Sequence, residues 1–499
     1  MKIRNGSLEN LEKLNSKYSE FLLEEIDVMS LFGMYNYSNI HFKSDEGILI
    51  IHGENGLGKT TLLNLINSFK KGNFNKILEV NFTNFMLKFL PLNHISKSSK
   101  DINFILVQIK KEEISKLDIT IFEISNNEPR IVIKFPFGKR SSSNSKLDDL
   151  FQQINFIRNE LAHEVLDSER YHALNQEYQY LIRNASRYEL HEKKKSQVKF
   201  PEPLSSFLNK FRCHLISSER LDISHYIESR YKPRTKKREK FSSVIGDKRG
   251  LLINKITRNF REYLKISQSQ DSDLVERIIT VIEKTEEFHY DDSEFQKEIE
   301  VKLKNFVNKQ ENYRNAGFDI SESVKIDLLS SFQRASKWEE KWKKPILFDL
   351  LVDVILADGE EKLAVFDSLY EKIALFKKII NSHLSKNKRL ETHNRKGILI
   401  RNLNNKKEIA IESLSSGEKH LIVLFFEFIF ETAPNTLILI DEPEISLHID
   451  WQIKFIKNLI KLKKSNIEDL KNIRFILSTH SPQIVHDRWD LTRELTLED

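Results

Sequence analysis

The sequence predicts an α/β fold: a parallel-sheet core whose two parts are separated by a long, mostly helical middle. Three observations carry this. Apolar runs at Gly47–Ile51, Thr436–Ile440 and Ile473–Ser478 have the pattern of strands buried on both faces, as in a parallel sheet. Glycines crowd the turn after the first run, just before the helical pattern Thr60–Phe69. No proline falls between Pro233 and Pro345, which suits long helices.

Composition narrows the class. The 499 residues are 39% hydrophobic and 30% charged, the balance of a globular chain with ample length for a buried core. A formal net charge of +6 is too small to imply a nucleic-acid partner, because a local patch matters more than the sum. Cys213 is the one cysteine, which excludes an internal disulfide framework, a CxxC pair and a four-cysteine zinc site. A reducing compartment, the cytoplasm, is the expectation. No apolar run reaches the ~18 residues that span a bilayer, and the N-terminus has no apolar signal core, so no membrane segment is expected.

Taken in order, a short amphipathic helix is predicted to about residue 26, then strands at Ile26–Leu31, Ile40–Phe42 and Gly47–Ile51. After the helix Thr60–Phe69, the alternating runs Phe104–Lys110, Leu117–Ile124 and Arg130–Phe135 predict an antiparallel meander. Ser141–Ser145 is a linker-like break. From Lys146 to Leu384 the pattern is mostly helical, as in Asp271–Phe288, where Leu274, Ile278, Val281 and Ile282 share a face. The strand-like run Phe211–Ile216 interrupts it. A hairpin, Gly397–Arg401 with Glu408–Ile411, then leads to a helix at Glu418–Phe430, a strand at Thr436–Ile440, a helix at Trp451–Leu462 and a last strand at Ile473–Ser478. The expected domains are 1–140, 141–385 as a helical insertion with one core strand near 211–216, and 386–499.

Residues 53–60 read Gly-Glu-Asn-Gly-Leu-Gly-Lys-Thr, the G-x-x-x-x-G-K-[ST] phosphate loop. Glycines let backbone wrap phosphate closely, and N–H groups at a helix N-terminus favour an anion. Gly53, Asn55, Gly56, Gly58, Lys59, Thr60 and Thr61 are the candidate contacts. Lys59 should reach the β- and γ-phosphates of a nucleoside triphosphate, and Thr60 should ligate Mg²⁺.

The buried run Thr436–Ile440 ends on Asp441-Glu442-Pro443. Two carboxylates there are costly unless metal or hydrogen bonds satisfy them. With a phosphate loop elsewhere they read as a Walker B pair: Asp441 in the Mg²⁺ shell, Glu442 orienting or deprotonating the attacking water. Leu414-Ser-Ser-Gly-Glu418 has two readings, an ordinary helix N-cap and a second anion site.

The order of these motifs, followed by Ser446-Leu447-His448 and Ser478-Thr479-His480, resembles the ABC-class ATPases, among them the SMC, RecF and OLD-like heads. That resemblance implies an ABC-type two-lobed P-loop ATPase head, here interrupted by the helical insertion, that uses ATP and Mg²⁺. It implies that Ser415, Gly417 and Glu418 of one copy close on ATP held by another, so the working unit is a homodimer or higher homo-oligomer. His480 matches the switch histidine that contacts the γ-phosphate and joins Lys59 and Glu442 as a candidate catalytic group. The long gap from phosphate loop to signature departs from transporter domains. The middle lacks the sustained heptads of a coiled-coil arm.

Leu31-Phe32-Gly33, Gly53–Thr61, Glu412–His420 and Asp441–His448 are most similar to compact anti-phage ATPases of the PtuA family of Septu systems, including retron-associated forms. The similarity covers roughly 25–135 and 385–490. It implies an HNH nuclease partner of the PtuB kind acting in trans. No nuclease site is expected in this chain: little sequence follows His480, where OLD and Gabija proteins carry a TOPRIM nuclease, and no HNH-like cluster is visible. A RecF- or SMC-like repair ATPase and an ATP-gated scaffold with little turnover are the rival readings.

The class's Q-loop glutamine has no clear counterpart; Gln108 reads as a strand residue. Arg220 resembles an arginine of OLD-like heads and equally suits a surface. Tyr35 and Tyr37 suit adenine stacking or core packing. The basic segment Arg230–Lys240, with Lys193–Lys195, reads as a solvated loop or as a phosphate-contacting patch for DNA or retron RNA.

Overall fold

The computed structural model describes residues 5–6, 8–92, 104–113, 116–125, 128–138, 202–216, 247–259, 261–262, 265–266, 292–318, 345–445 and 447–496. The chain divides into two compact units: Met1–His41 with Asn64–Arg212 and Leu497–Asp499, and Phe42–Leu63 with Cys213–Thr496.

The first unit is built on one antiparallel sheet. Its strands are β1 (Asn5–Gly6), β2 (Phe21–Leu31), β3 (Tyr35–His41), β5 (Asn84–Pro91), β6 (Phe104–Glu113), β7 (Lys116–Ser125) and β8 (Glu128–Gly138), in the order β1-β8-β7-β6-β5-β2-β3. Burial alternates along β5 and the first part of β6. Phe85, Leu87 and Phe89 of β5 sit opposite Ile109, Val107 and Ile105 of β6, all buried, while the residues between are half-buried. Period-2 alternation puts one face in the core. That core is aromatic: Phe21 meets Phe207 at 5.1 Å and Phe89 meets Phe211 at 4.9 Å between ring centroids. Helices α1 (Leu8–Lys17), α3 (Phe74–Glu79) and α4 (Glu202–Lys210) belong to the same unit.

The predicted meander is present as β6–β8. The predicted helix to residue 26 is not: α1 stops at Lys17, and β2 starts at Phe21 because Phe21, Leu22 and Leu23 pair with β5. Strand β5 was not expected, since Met86 and Leu90 blur its alternation.

The second unit holds a five-stranded sheet: β4 (Ile48–His52), β9 (Arg212–Ile216), β13 (Thr436–Asp441), β14 (Arg474–Ser478) and β15 (Thr492–Glu494), in the order β15-β4-β14-β13-β9. β15, β4, β14 and β13 run parallel. The three apolar runs do share one sheet, and the 211–216 run joins it as β9. β15 is an addition beyond the strand expected to be last. A separate antiparallel sheet, β10 (Lys388–His393), β11 (Gly397–Asn402) and β12 (Glu408–Ile409), contains the predicted hairpin plus one strand the sequence hid.

Helices α2 (Lys59–Lys70), α5 (Asp292–Asn315), α6 (Pro345–Asn381), α7 (Ser416–Phe426), α8 (Ile449–Lys463) and the short α9 (Pro482–Val485) complete the described elements, with a further helix at 247–259. After α7 a π-helical turn, Glu427–Glu431, carries Phe428 and Phe430 into the core. Phe376 of α6 packs edge-on against Phe426 at 5.9 Å and Phe430 at 5.6 Å.

The two compact units do not follow the expected domain limits. The phosphate-loop segment groups with the C-terminal strands, because β4 pairs with β14 and β15, and not with the rest of 1–140. Helix α6, expected within the insertion, belongs to the core of the second unit. The Ser141–Ser145 break, the helix at Asp271–Phe288, Arg220 and both basic runs lie outside the described residues.

Candidate nucleotide site

All the candidate site residues fall in the second unit. Register explains the convergence. Ile51 of β4 lies beside Ser478 of β14, and Ser478 beside Asp441 of β13, so three strands end level. In an open parallel sheet ligands bind off the carboxyl ends of the strands.

The phosphate loop leaves β4 at His52. Gly53 has φ +147, and a Cβ there would stand 2.6 Å from the carbonyl oxygen of Leu495, so the backbone just past β15 demands the glycine. At Gly56 there is open space, but φ is +88, which a side chain rarely adopts. Leu57, buried, anchors the loop. Asn55 is exposed on the loop, Gly58 is half-buried at φ +88, and Thr61 is half-buried in the first turn of α2.

Lys59, the first residue of α2, is 5% exposed. Its Nζ donates to the carbonyl oxygens of Gly53 at 2.9 Å and Glu54 at 2.7 Å, across its own loop. Burial lowers its pKa, opposed by the negative charges of Glu442, Asp441 and Glu444. A buried ammonium whose direct partners are neutral carbonyls, at the N-terminus of a helix with no acid in its first turn, fits an anionic phosphate.

Thr60 Oγ1 donates to Asp441 Oδ1 at 3.0 Å, and Ser478 Oγ donates to the same oxygen. Asp441 is 3% exposed. One hydroxyl and one carboxylate meeting here fit Mg²⁺, which typically takes one or two protein oxygens with water and substrate phosphates. Glu442 follows at φ +50, a left-handed conformation costing on the order of 1 kcal/mol for a residue other than glycine. Its N–H donates to the Ser478 carbonyl at 2.9 Å, which fixes that conformation.

The ring of His480 is exposed, which excludes a core histidine. Its N–H donates to Glu444 Oε1 at 2.8 Å. At the signature, Ser415 is the N-cap of α7. Its hydroxyl accepts from the N–H of Glu418 at 3.2 Å, and Glu418 Oε2 accepts from the N–H of Ser415 at 2.9 Å, a reciprocal capping box. Gly417 is buried in the first turn. Glu418, expected at the nucleotide, is 6% exposed, and its carboxylate is taken up by the cap and by Lys388 Nζ, 3.0 Å from each oxygen.

Residues 31–485 match the family model for the AAA ATPase domain. The chain belongs to the AAA ATPase domain family. The matched span of this AAA ATPase domain includes the phosphate loop, the signature, the Asp441-Glu442 pair and His480. A partial likeness joins it: the chain is 33% identical over 93 aligned residues to the retron Ec83 probable ATPase of Escherichia coli, 16% of this chain and 16% of that protein's length. Among the described residues no helix is long and apolar enough to cross a membrane.

Of the other sequence candidates, Tyr37 is buried in the first unit with its ring stacked on Tyr35 at 6.0 Å. Gln108 is half-buried on β6, its Nε2 3.9 Å from Met86 Sδ. Sequence reasoning missed Glu444, Gln452 and Ser478. The visible signals were a second acid directly after Pro443 and a serine ending the last long apolar run.

Proposed function

We propose that this AAA ATPase domain binds and hydrolyses ATP with Mg²⁺, as a paired ABC-class head that regulates a nuclease partner in anti-phage defence, in the manner of PtuA-type and retron-associated ATPases. The observation that carries the nucleotide reading is the Thr60–Asp441 contact, which unites the phosphate loop with an acid 381 positions away. Lys59 and the loop N–H groups hold the phosphates; Thr60 and Asp441 hold Mg²⁺, which would neutralise phosphate charge. Glu442 takes a proton from water, and exposed His480 senses the γ-phosphate. Ser415 and Gly417 present the start of α7 to nucleotide held by a second copy. The defence reading is supported by the quoted motif phrases and by the likeness to a retron ATPase.

Lys59→Ala should weaken ATP binding at least ~100-fold, because the phosphate charge loses its nearest cation. Glu442→Gln should leave Mg-ATP affinity intact and slow hydrolysis by about 10²–10⁴. Equilibrium binding with a fluorescent ATP analogue and phosphate release measure the two. Normal ATP affinity in Lys59→Ala would overturn the assignment. Co-purification with proteins encoded beside the chain tests the partner separately, and recovery of no nuclease removes that part alone.

A further inference from the structure

We infer that Glu444 and Gln452 form a bracket that positions His480 for hydrolysis; the inference rests on the ATPase reading above.

The turn after β13 and the segment after β14 meet through side chains that none of the nucleotide motifs claims. Glu444 Oε1 accepts the N–H of His480 at 2.8 Å. Gln452, in the first turns of α8, donates through Nε2 to the carbonyl oxygens of Leu447 at 3.0 Å and Glu444 at 3.5 Å. Its Oε1 accepts the hydroxyl of Ser481, the residue after His480, at 2.6 Å. Ser481 N–H in turn donates to Thr479 Oγ1 at 3.0 Å. So one carboxylate and one amide tie Glu444 and Leu447 to His480, which carries the exposed imidazole, and to Ser481 beside it.

Two features set this apart from ordinary turn stabilisation. The bonded atom on the switch side is the amide of His480 itself, so any shift of Glu444 moves that residue's backbone. And Glu444 Oε2 is buried with no hydrogen-bond partner among the described residues. A half-satisfied buried carboxylate is costly, and a turn alone would be better served by a neutral acceptor. Here the charge has a counterpart in Lys59, whose ammonium is among the groups Glu444 attracts. Glu444 thereby adds negative charge to the surroundings of the phosphate-loop cation while holding the switch residue. It is a positioning residue acting through His480, and Gln452 secures the turn from which it acts.

The test uses the full chain with four variants: Glu444→Ala, Glu444→Gln, His480→Ala and the Glu444→Ala/His480→Ala pair. In Glu444→Ala the amide of His480 should exchange hydrogen faster, and kcat should fall about 10- to 100-fold, the scale of a misplaced reacting group. Affinity for a non-hydrolysable ATP analogue should stay within about twofold, because Lys59, Thr60 and Asp441 are untouched. Glu444→Gln keeps the acceptor oxygen and should recover most of kcat. In the His480→Ala background, Glu444→Ala should cost little more, since the group it positions is gone. Multiplying losses in the double variant, or a glutamine as damaged as the alanine, would overturn the inference. If the unaltered chain turns over no ATP, the ATPase reading falls and the role in hydrolysis with it. The exchange measurement then still shows whether Glu444 holds the His480 amide.

Discussion

The two units bury their sheets differently. In the first, β5 and the first part of β6 alternate buried and half-buried residues, so these strands have a core face and a second, wetter face. In the second, β13 is buried at all six positions and β4 at its first four. A strand covered on both faces has only its ends to offer to solvent. Asp441, His480 and the phosphate loop sit at or just past such ends. The antiparallel sheet supplies none of the candidate phosphate, metal or catalytic residues. Burial on both faces therefore builds a platform whose carboxyl ends carry the candidate site residues, and alternation builds a scaffold.

This contrast can be broken by neighbouring substitutions. Ile438→Ala and Leu439→Ala in β13 should each cost about 2–5 kcal/mol, because both point into packed core. In β5, Leu87→Ala should cost as much, but Met86→Ala, half-buried beside it, should cost under about 1 kcal/mol. Thermal unfolding of the four variants reads this. Equal costs at Met86 and Leu87 would dissolve the distinction between the sheets.

The same contrast governs what the sequence could reveal. Continuous apolar runs announced β4, β13 and β14, and the glycines of the phosphate loop announced the turn between β4 and α2. β15 escaped because Thr492-Arg493-Glu494 has no apolar pattern; backbone pairing with β4 makes it a strand. β10 escaped because only Leu390 and Thr392 are buried in an otherwise polar run. Lys59, Thr60, Asp441 and Glu442 stand out in the sequence as candidates because phosphate chemistry constrains residue types and spacing, and the structure brings Thr60 to Asp441. Glu444 and Gln452 do not, because their partners on the far side, the His480 amide and the Ser481 hydroxyl, are distant in sequence. Glu418 has two readings in the sequence, because an acid three residues after a serine serves a capping box as well as a signature, and the structure shows the capping box.

His420 sharpens the picture on the signature helix itself. It is 5% exposed, neither ring nitrogen has a partner among the described residues, and burial pushes its pKa down to about 4. The folded state therefore resists protonating it, whereas the unfolded chain takes up the proton near 6.5. Its contribution is fully present above that value and is lost as pH falls from about 6.5 towards 4. The shift corresponds to about 3 kcal/mol. His420→Leu should flatten the loss of thermal stability between pH 7 and pH 4. An unchanged slope in the leucine variant would mean that other groups govern acid sensitivity.

The smallest expected stability effect separates the two uses of Ser415. Ser415→Ala removes a hydroxyl that caps α7 and should cost about 1 kcal/mol. Ser415→Asp is different. Aspartate caps as well as serine, and its charge suits a helix N-terminus, so stability should stay within about 0.5 kcal/mol of the unaltered chain. If Ser415 is only a cap, Ser415→Asp changes nothing else. If the start of α7 also closes on nucleotide held by a second copy, the new carboxylate lies against phosphate and repels it. The informative background is Glu442→Gln, in which bound ATP persists. There, light scattering should show a gain in mass on adding ATP, and Ser415→Asp should abolish that gain while leaving ATP affinity unchanged. The quantity to compare is the change caused by ATP, since other surfaces can hold copies together without it. A gain in mass undiminished by the aspartate would confine Ser415 to capping and remove the signature from the proposed paired head.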